Sequence, residues 1–199
     1  MRFAGSVVLA ILAACSAPAG PETPGDGQAS QARWADLGRD CPANTAAPSL
    51  SAAARDSLPS PGWDLNAQWA AIALRAPGGW GGYFIDDGVP TIYLLDPSQA
   101  QSAAAFLRTE GIPVPSSVAA RQGRWDFAQL FDWYRYVNRY IWTVEGVSSS
   151  DIQEARNRLE YGVIDEPTRV RVEQVLSVLE IPCFLVALEI RGYAVFIGA

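Results

Sequence analysis

Asp86-Asp87 and Glu145 are the carboxylates whose settings suit acid–base or cation chemistry, and neither setting is specific to it. Asp86-Asp87-Gly88 lies between two apolar runs, where Asp and Gly are what a tight hairpin turn requires. The three-oxygen spacing of a calcium loop is missing. Ser148-Ser149-Ser150 offers hydroxyls, but a serine nucleophile needs a base beside it. The usual bases are absent: the 199 residues contain no histidine and no lysine, and all 15 basic side chains are arginine. That removes Ser-His and Cys-His pairs, imidazole metal ligands, Schiff bases and the Walker lysine. Arginine stays charged at any usable pH and is a poor proton shuttle. Catalysis is confined to paired carboxylates, a carboxylate-held metal or a tyrosine. The composition therefore reads as a non-enzymatic protein with no cofactor and no metal. The enzymatic alternative is a wall-polysaccharide hydrolase using Asp86, Asp87 and Glu145.

The other chemistry within reach is contact. Phe127, Leu130, Phe131, Tyr134, Val137 and Ile141 recur at helical spacing and form a core stripe. Trp133, Tyr136, Tyr140 and Trp142 fall off that stripe and either widen the buried face or make an exposed docking patch. Arg135 and Arg139, four apart on the same helix, could clamp a carboxylate, stack on Tyr136 or sit on a solvated edge. Trp80, set among Gly78, Gly79, Gly81 and Gly82, reads as a loop aromatic for packing or for contact.

The elements that must position these residues are legible in outline. Asp64 can cap a helix to about Arg75, and the glycine run ends it. Tyr83 to Ile85 and Val89 to Leu95 read as a hairpin. Asp96-Pro97 opens the next helix, with Gln99 placed to close a capping box, and Ser117 to Gln122 is strand-like. Asp126 and Gln129 form a second box, with Trp125 and Leu130 able to staple the first turn of a helix running to about Trp142. An offset of 69 residues then aligns the two halves without a gap: Leu94-Leu95-Asp96 falls on Val163-Ile164-Asp165, and Ile112-Pro113 on Ile181-Pro182. The expected fold is α+β, with two hairpin-helix-strand (ββαβ) units forming small antiparallel sheets backed by helices and joined by the aromatic helix. The halves span about 80–123 and 149–192. Asp151 to Glu154 also reads as a capping box, but the offset favours a hairpin there, with Asn157 on the turn position of Gly88.

Three features concern address. Met1-Arg2, a short apolar run and Leu12-Ala13-Ala14-Cys15 resemble the lipobox of bacterial lipoproteins, which implies cleavage after residue 14 and a lipid anchor on Cys15. The alternative is an ordinary signal cut near Ala17-Pro18-Ala19. Ser16, by the same resemblance, implies the outer membrane of a cell that has one. Residues 15–62, rich in Ala, Pro, Gly and Ser, read as a tether, with Trp34 and Leu37 able to dock back, and the domain runs from 63 to 199. Cys41 and Cys183 then remain as one disulfide or as two buried thiols. A net charge of −6 argues against nucleic acid as a partner and leaves membrane attachment to the lipid.

Gly82-Tyr83-Phe84-Ile85-Asp86, Trp125 to Trp133, Asp151 to Leu159 and Glu180-Ile181-Pro182 together resemble a bacterial envelope domain similar to the prodomains of the alpha-lytic protease and streptogrisin family. The resemblance covers about Leu65 to Ile190. It implies an α+β fold and a binding role, with an envelope or secreted protein, such as a serine protease, as partner. These 199 residues contain no histidine and so no expected protease catalytic set, and Ile197-Gly198-Ala199 is expected to be the only match to the prodomain's C-terminal tail. A retooled binding module is therefore the first reading, and a protease inhibitor or folding aid acting in trans is its alternative.

Overall fold

Ser51 begins the first helix of a computed structural model that describes residues 47–62, 64–182 and 184–191. Its hydroxyl accepts the Ala54 N–H and starts α1 (Ala52–Asp56). Helix α2 (Leu65–Ala73) follows, capped by Asp64 as expected. Two strands come next, β1 (Trp80–Asp86) and β2 (Val89–Leu94), joined through Asp87 and Gly88, both at positive φ. Asp96 caps a 3-10 turn, Pro97–Gln99, which leads into α3 (Ala100–Thr109), while Gln99 makes no side-chain cap bond. Strand β3 (Ala119–Gln122) completes the first sheet. Helix α4 (Phe127–Ile141) carries the full Asp126/Gln129 capping box. The second half repeats the order with β4 (Val147–Gln153), β5 (Arg158–Val163), α5 (Glu166–Val178) and β6 (Val186–Ile190).

The fold is α+β, with two three-stranded sheets ordered β1-β2-β3 and β4-β5-β6. The sheets are mixed, which corrects the expectation of antiparallel ones. In each, the first two strands form an antiparallel hairpin and the third runs parallel to the second. The physical reason is the helical crossover: a chain that leaves the end of a strand and returns through a helix re-enters in the same direction.

The two hairpins share register as well as order. Trp80 pairs with Leu94 and Gly82 with Tyr93, with an irregularity between Trp80 and Gly82. Val147 pairs with Val163 and Ser149 with Gly162, with the same irregularity between Val147 and Ser149. The second strands correspond at the expected offset, but the first strands do so at two residues less. The difference lies in the loops. Asp87 and Gly88 make the first turn, whereas the second has four residues, the 3-10 turn Glu154–Arg156 and then Asn157 at φ 51°. The capping-box pattern at Asp151 thus yields strand and turn, not helix.

Asn157 locks the two units together. It is 4% exposed, and its amide makes four hydrogen bonds. Its Oδ1 accepts the N–H groups of Arg124 at 2.7 Å and Trp125 at 3.0 Å. Its Nδ2 donates to the carbonyls of Gly81 at 3.1 Å and Trp125 at 2.8 Å. This close approach explains the glycines of β1. A Cβ on Gly81 would lie 2.3 Å from the Trp125 carbonyl oxygen, and one on Gly82 would lie 2.9 Å from the Cβ of Glu154.

One continuous core joins these parts. Ile92 and Leu94 of β2 and Ala103, Ala104 and Leu107 of α3 are buried in it, as are Leu159, Tyr161 and Val163 of β5 and Val172 and Leu176 of α5. Helix α4 runs between the halves. Its Tyr134 hydroxyl shares a hydrogen bond with Ser150 at 3.1 Å, and Asn138 Oδ1 accepts from Tyr161 at 2.9 Å.

Candidate functional site

The aromatic helix was the strongest sequence candidate, and the structure divides it. Its expected core stripe is buried or half-buried throughout. Trp133 is also buried, at 6% exposure, and its indole N–H donates to the Pro48 carbonyl at 3.0 Å. Tyr136 is half-buried between Trp133 and Tyr140 in successive edge-to-face contacts at 5.9 and 5.5 Å. Only Tyr140 and Trp142, at the C-terminal end, stand exposed, at 36% and 51%. The helix is amphipathic enough to bury most of its width against two surfaces, so exposure survives only where it runs past both.

The second of those surfaces is the chain's own segment 47–59. Ser49 Oγ accepts from Gln129, Arg55 pairs with Asp132 at 2.9 Å, and Leu50 and Leu58 are buried in the core. Arg135 donates to the Pro59 carbonyl, and Arg139 reaches the Ser57 carbonyl and hydroxyl. The two arginines therefore hold this segment. This also corrects the tether boundary, because residues 47–59 belong to the folded unit.

Trp80 takes the packing alternative, from a strand and not a loop. It is fully buried as the first residue of β1, stacked on Phe127 at 5.5 Å and met edge-on by Trp69 at 6.0 Å. Its glycine neighbours serve close packing and turn geometry, not loop exposure. Asp86 is ion-paired with Arg121, Asp87 occupies the turn, and Glu145 lies in the segment after α4. Asp86 and Asp87 belong to the first sheet and Glu145 to the second half. Cys15, Cys41 and Cys183 lie outside the described residues, as does everything before residue 47.

A groove of about 710 Å³ lies open where the end of α4 meets α5. Tyr140, Val144, Val175, Val178 and Leu179 line its apolar part, with Glu145, Arg171 and Gln174 at its polar margin. Arg171 fixes the geometry by donating to the Glu145 carbonyl and to Thr168 Oγ1, both at 2.9 Å. Val178 is 80% exposed, the highest value among the large apolar side chains described. Val144, Val175 and Val178 carry no functional signal in the sequence. Valines at a helix end match a core pattern, and only the absence of a covering element among the described residues reveals them.

Two carboxylates with raised pKa values, Glu154 half-buried and Glu173 buried, complete the electrostatics. Glu154 lies in the second hairpin loop, where burial and then the charge of Asp151 push its pKa up to about 7. Glu173 of α5 is fully buried, with Oε1 accepting from Arg169 at 3.1 Å and Oε2 without a partner. Burial outweighs the arginine and pushes it to about 7 as well. No group of three or more His, Cys, Asp or Glu residues among those described could hold a metal ion, and no described helix is long and apolar enough to cross a membrane. Protein-family models give no match to this chain, and no curated protein matches it.

Proposed function

We infer that the chain is a lipid-anchored, non-enzymatic binding domain of a bacterial cell envelope, and that it takes the apolar face of a partner protein's helix in the α4–α5 groove. Cys15 and its preceding residues support the anchor, and Ser16 supports the outer membrane. The observation that carries the binding role is the groove itself: an open apolar surface on a face that no described residue covers. Its walls are helix ends, which present no free strand edge, so side-chain packing is the recognition mode and a helix is the occupant that suits it. The charge of −6 favours a partner with basic residues flanking its apolar face.

The test is site-specific photocrosslinking in the full lipidated protein, with a photoreactive residue at Val178 and a control at Leu74, which is 78% exposed. A protein adduct specific to position 178 that disappears in a Val175→Asp background supports the reading. Identical adducts from both positions, or none at 178, refute it. A specific observation favours the prodomain-like alternative: β1, β3, β4 and β6 are all sheet edges. Crosslinking of a secreted serine protease from β4, and not from position 178, would support inhibition by sheet extension.

A further inference from the structure

The Asn157 lock has a second effect, on charge. Arg156 and Arg158 flank Asn157, and Arg124 precedes the Trp125 backbone that Asn157 holds. The three guanidinium side chains therefore line one recess of about 200 Å³, walled by Tyr93 and Phe184. Both walls are fixed. The Tyr93 hydroxyl donates to the Ala155 carbonyl at 3.4 Å, and the Arg124 guanidinium lies 4.2 Å from the centre of the Phe184 ring. Phe184 holds φ at 64°, a strained value for an aromatic residue.

Nearby acids do not neutralise all of this charge. Glu189 and Glu160 bind Arg156 and Arg191. Arg158 forms no ion pair and no side-chain hydrogen bond among the described residues, and its Nε is buried without a partner. Trp125, which also lines the recess, keeps a buried indole N–H without a partner. Burial first, and then the charge of Arg156, pull the Arg158 pKa below its usual value, so its charge is destabilised where it stands. Orphaned buried donors beside converging cations are the arrangement an anion completes.

We propose that this recess binds a small oxyanion, a carboxylate or phosphate group, with the Arg158 guanidinium as its principal ligand and Arg156 and Arg124 around it. The arginine fork matches either group, and the aromatic walls suit a flat substituent behind it. The volume of about 200 Å³ admits a small anionic group. The site lies at the junction of the two sheets and uses none of the groove residues.

Thermal melts of the full chain in sodium phosphate or sodium malonate, against chloride at matched ionic strength, test this. At ten times Kd the melting temperature rises by about 4 °C in the native protein. The rise disappears in Arg158→Gln, and in Arg158→Lys, which keeps the charge but not the fork, Kd weakens about tenfold. A larger rise with malonate assigns a carboxylate ligand, and a larger rise with phosphate a phosphate one. No rise above chloride, or an equal rise in Arg158→Gln, overturns the proposal. Should the variants fail to fold, phosphate titration of the native protein by NMR decides. Shifts centred on the Asn157 side-chain amide and the Trp125 indole support the site, and their absence refutes it.

Discussion

Replacing Asn157 by glycine should cost this protein about 3 kcal/mol, and replacing it by alanine about 4 kcal/mol. The residue is 4% exposed and satisfies two donors and two acceptors on two separate segments. A net hydrogen bond is worth about 1 kcal/mol, and a buried group left unpaired costs about 1–3 kcal/mol. Summing all four at the upper figure overstates the loss, because water can enter the space vacated by the amide. Glycine keeps the backbone at φ 51° without strain, so it reports the lost bonds alone. Alanine adds about 1 kcal/mol for the left-handed conformation. For a protein of this size 3 kcal/mol corresponds to roughly 6–12 °C in Tm. Chemical unfolding followed by circular dichroism, at constant m-value, measures both variants. If Asn157→Gly falls within 1 kcal/mol of the native protein, the lock is not an energetic feature, and the account of how the two halves are joined is wrong.

Gly81→Ala should be worse than either, since its Cβ would meet the Trp125 carbonyl at 2.3 Å and the Asn157 amide nitrogen at 2.5 Å; soluble yield and Tm report it, and a near-native Tm would contradict the close approach. Glu154 and Glu173 are both raised from 4.5 to about 7, so the native state retains protons there that the unfolded chain has released. Their contribution is fully present below about pH 4.5 and is lost as pH rises through 7, giving a combined fall of about 2 kcal/mol after allowance for water access. Urea melts at pH 5 and pH 7.5 should show this fall in the native protein and a flat response in Glu154→Gln/Glu173→Gln; an unchanged slope in the double variant would exclude these groups as its source. Trp133→Phe keeps the ring packing but deletes the bond to Pro48, so limited proteolysis at Arg55 should accelerate about fivefold while the global Tm falls by less than 3 °C.

Local chemistry was the most legible part of the sequence. The Asp126/Gln129 box and the Asp64 and Asp96 caps depend on neighbours within a few residues, and all three form. The second hairpin was legible only by comparing the halves, since Asp151 to Leu159 taken alone has helix signals. Trp80 could not be placed, because glycines that permit a mobile loop also permit a backbone to press against another loop. Segment 47–59 was hidden by its composition: Leu50 and Leu58 suffice to anchor it only because a wide aromatic helix faces them. The groove and the arginine recess were invisible for a related reason. Each is defined by which elements fail to meet, and no local pattern encodes that.

The two-residue difference between the hairpin loops sets the symmetry of the molecule. The longer second loop reaches the first sheet at Gly81 and Gly82, whereas nothing described lies within 4 Å of a Cβ built on Gly88 in the shorter first loop. Ile85 and Val89 beside that turn stay 58% and 51% exposed. The halves therefore do not embrace about a two-fold axis; they join head to tail, a heterologous contact that does not close on itself. An open series of two has a leading end, and here that end is the Asp87-Gly88 tip, which no described residue outside its own hairpin approaches at Gly88.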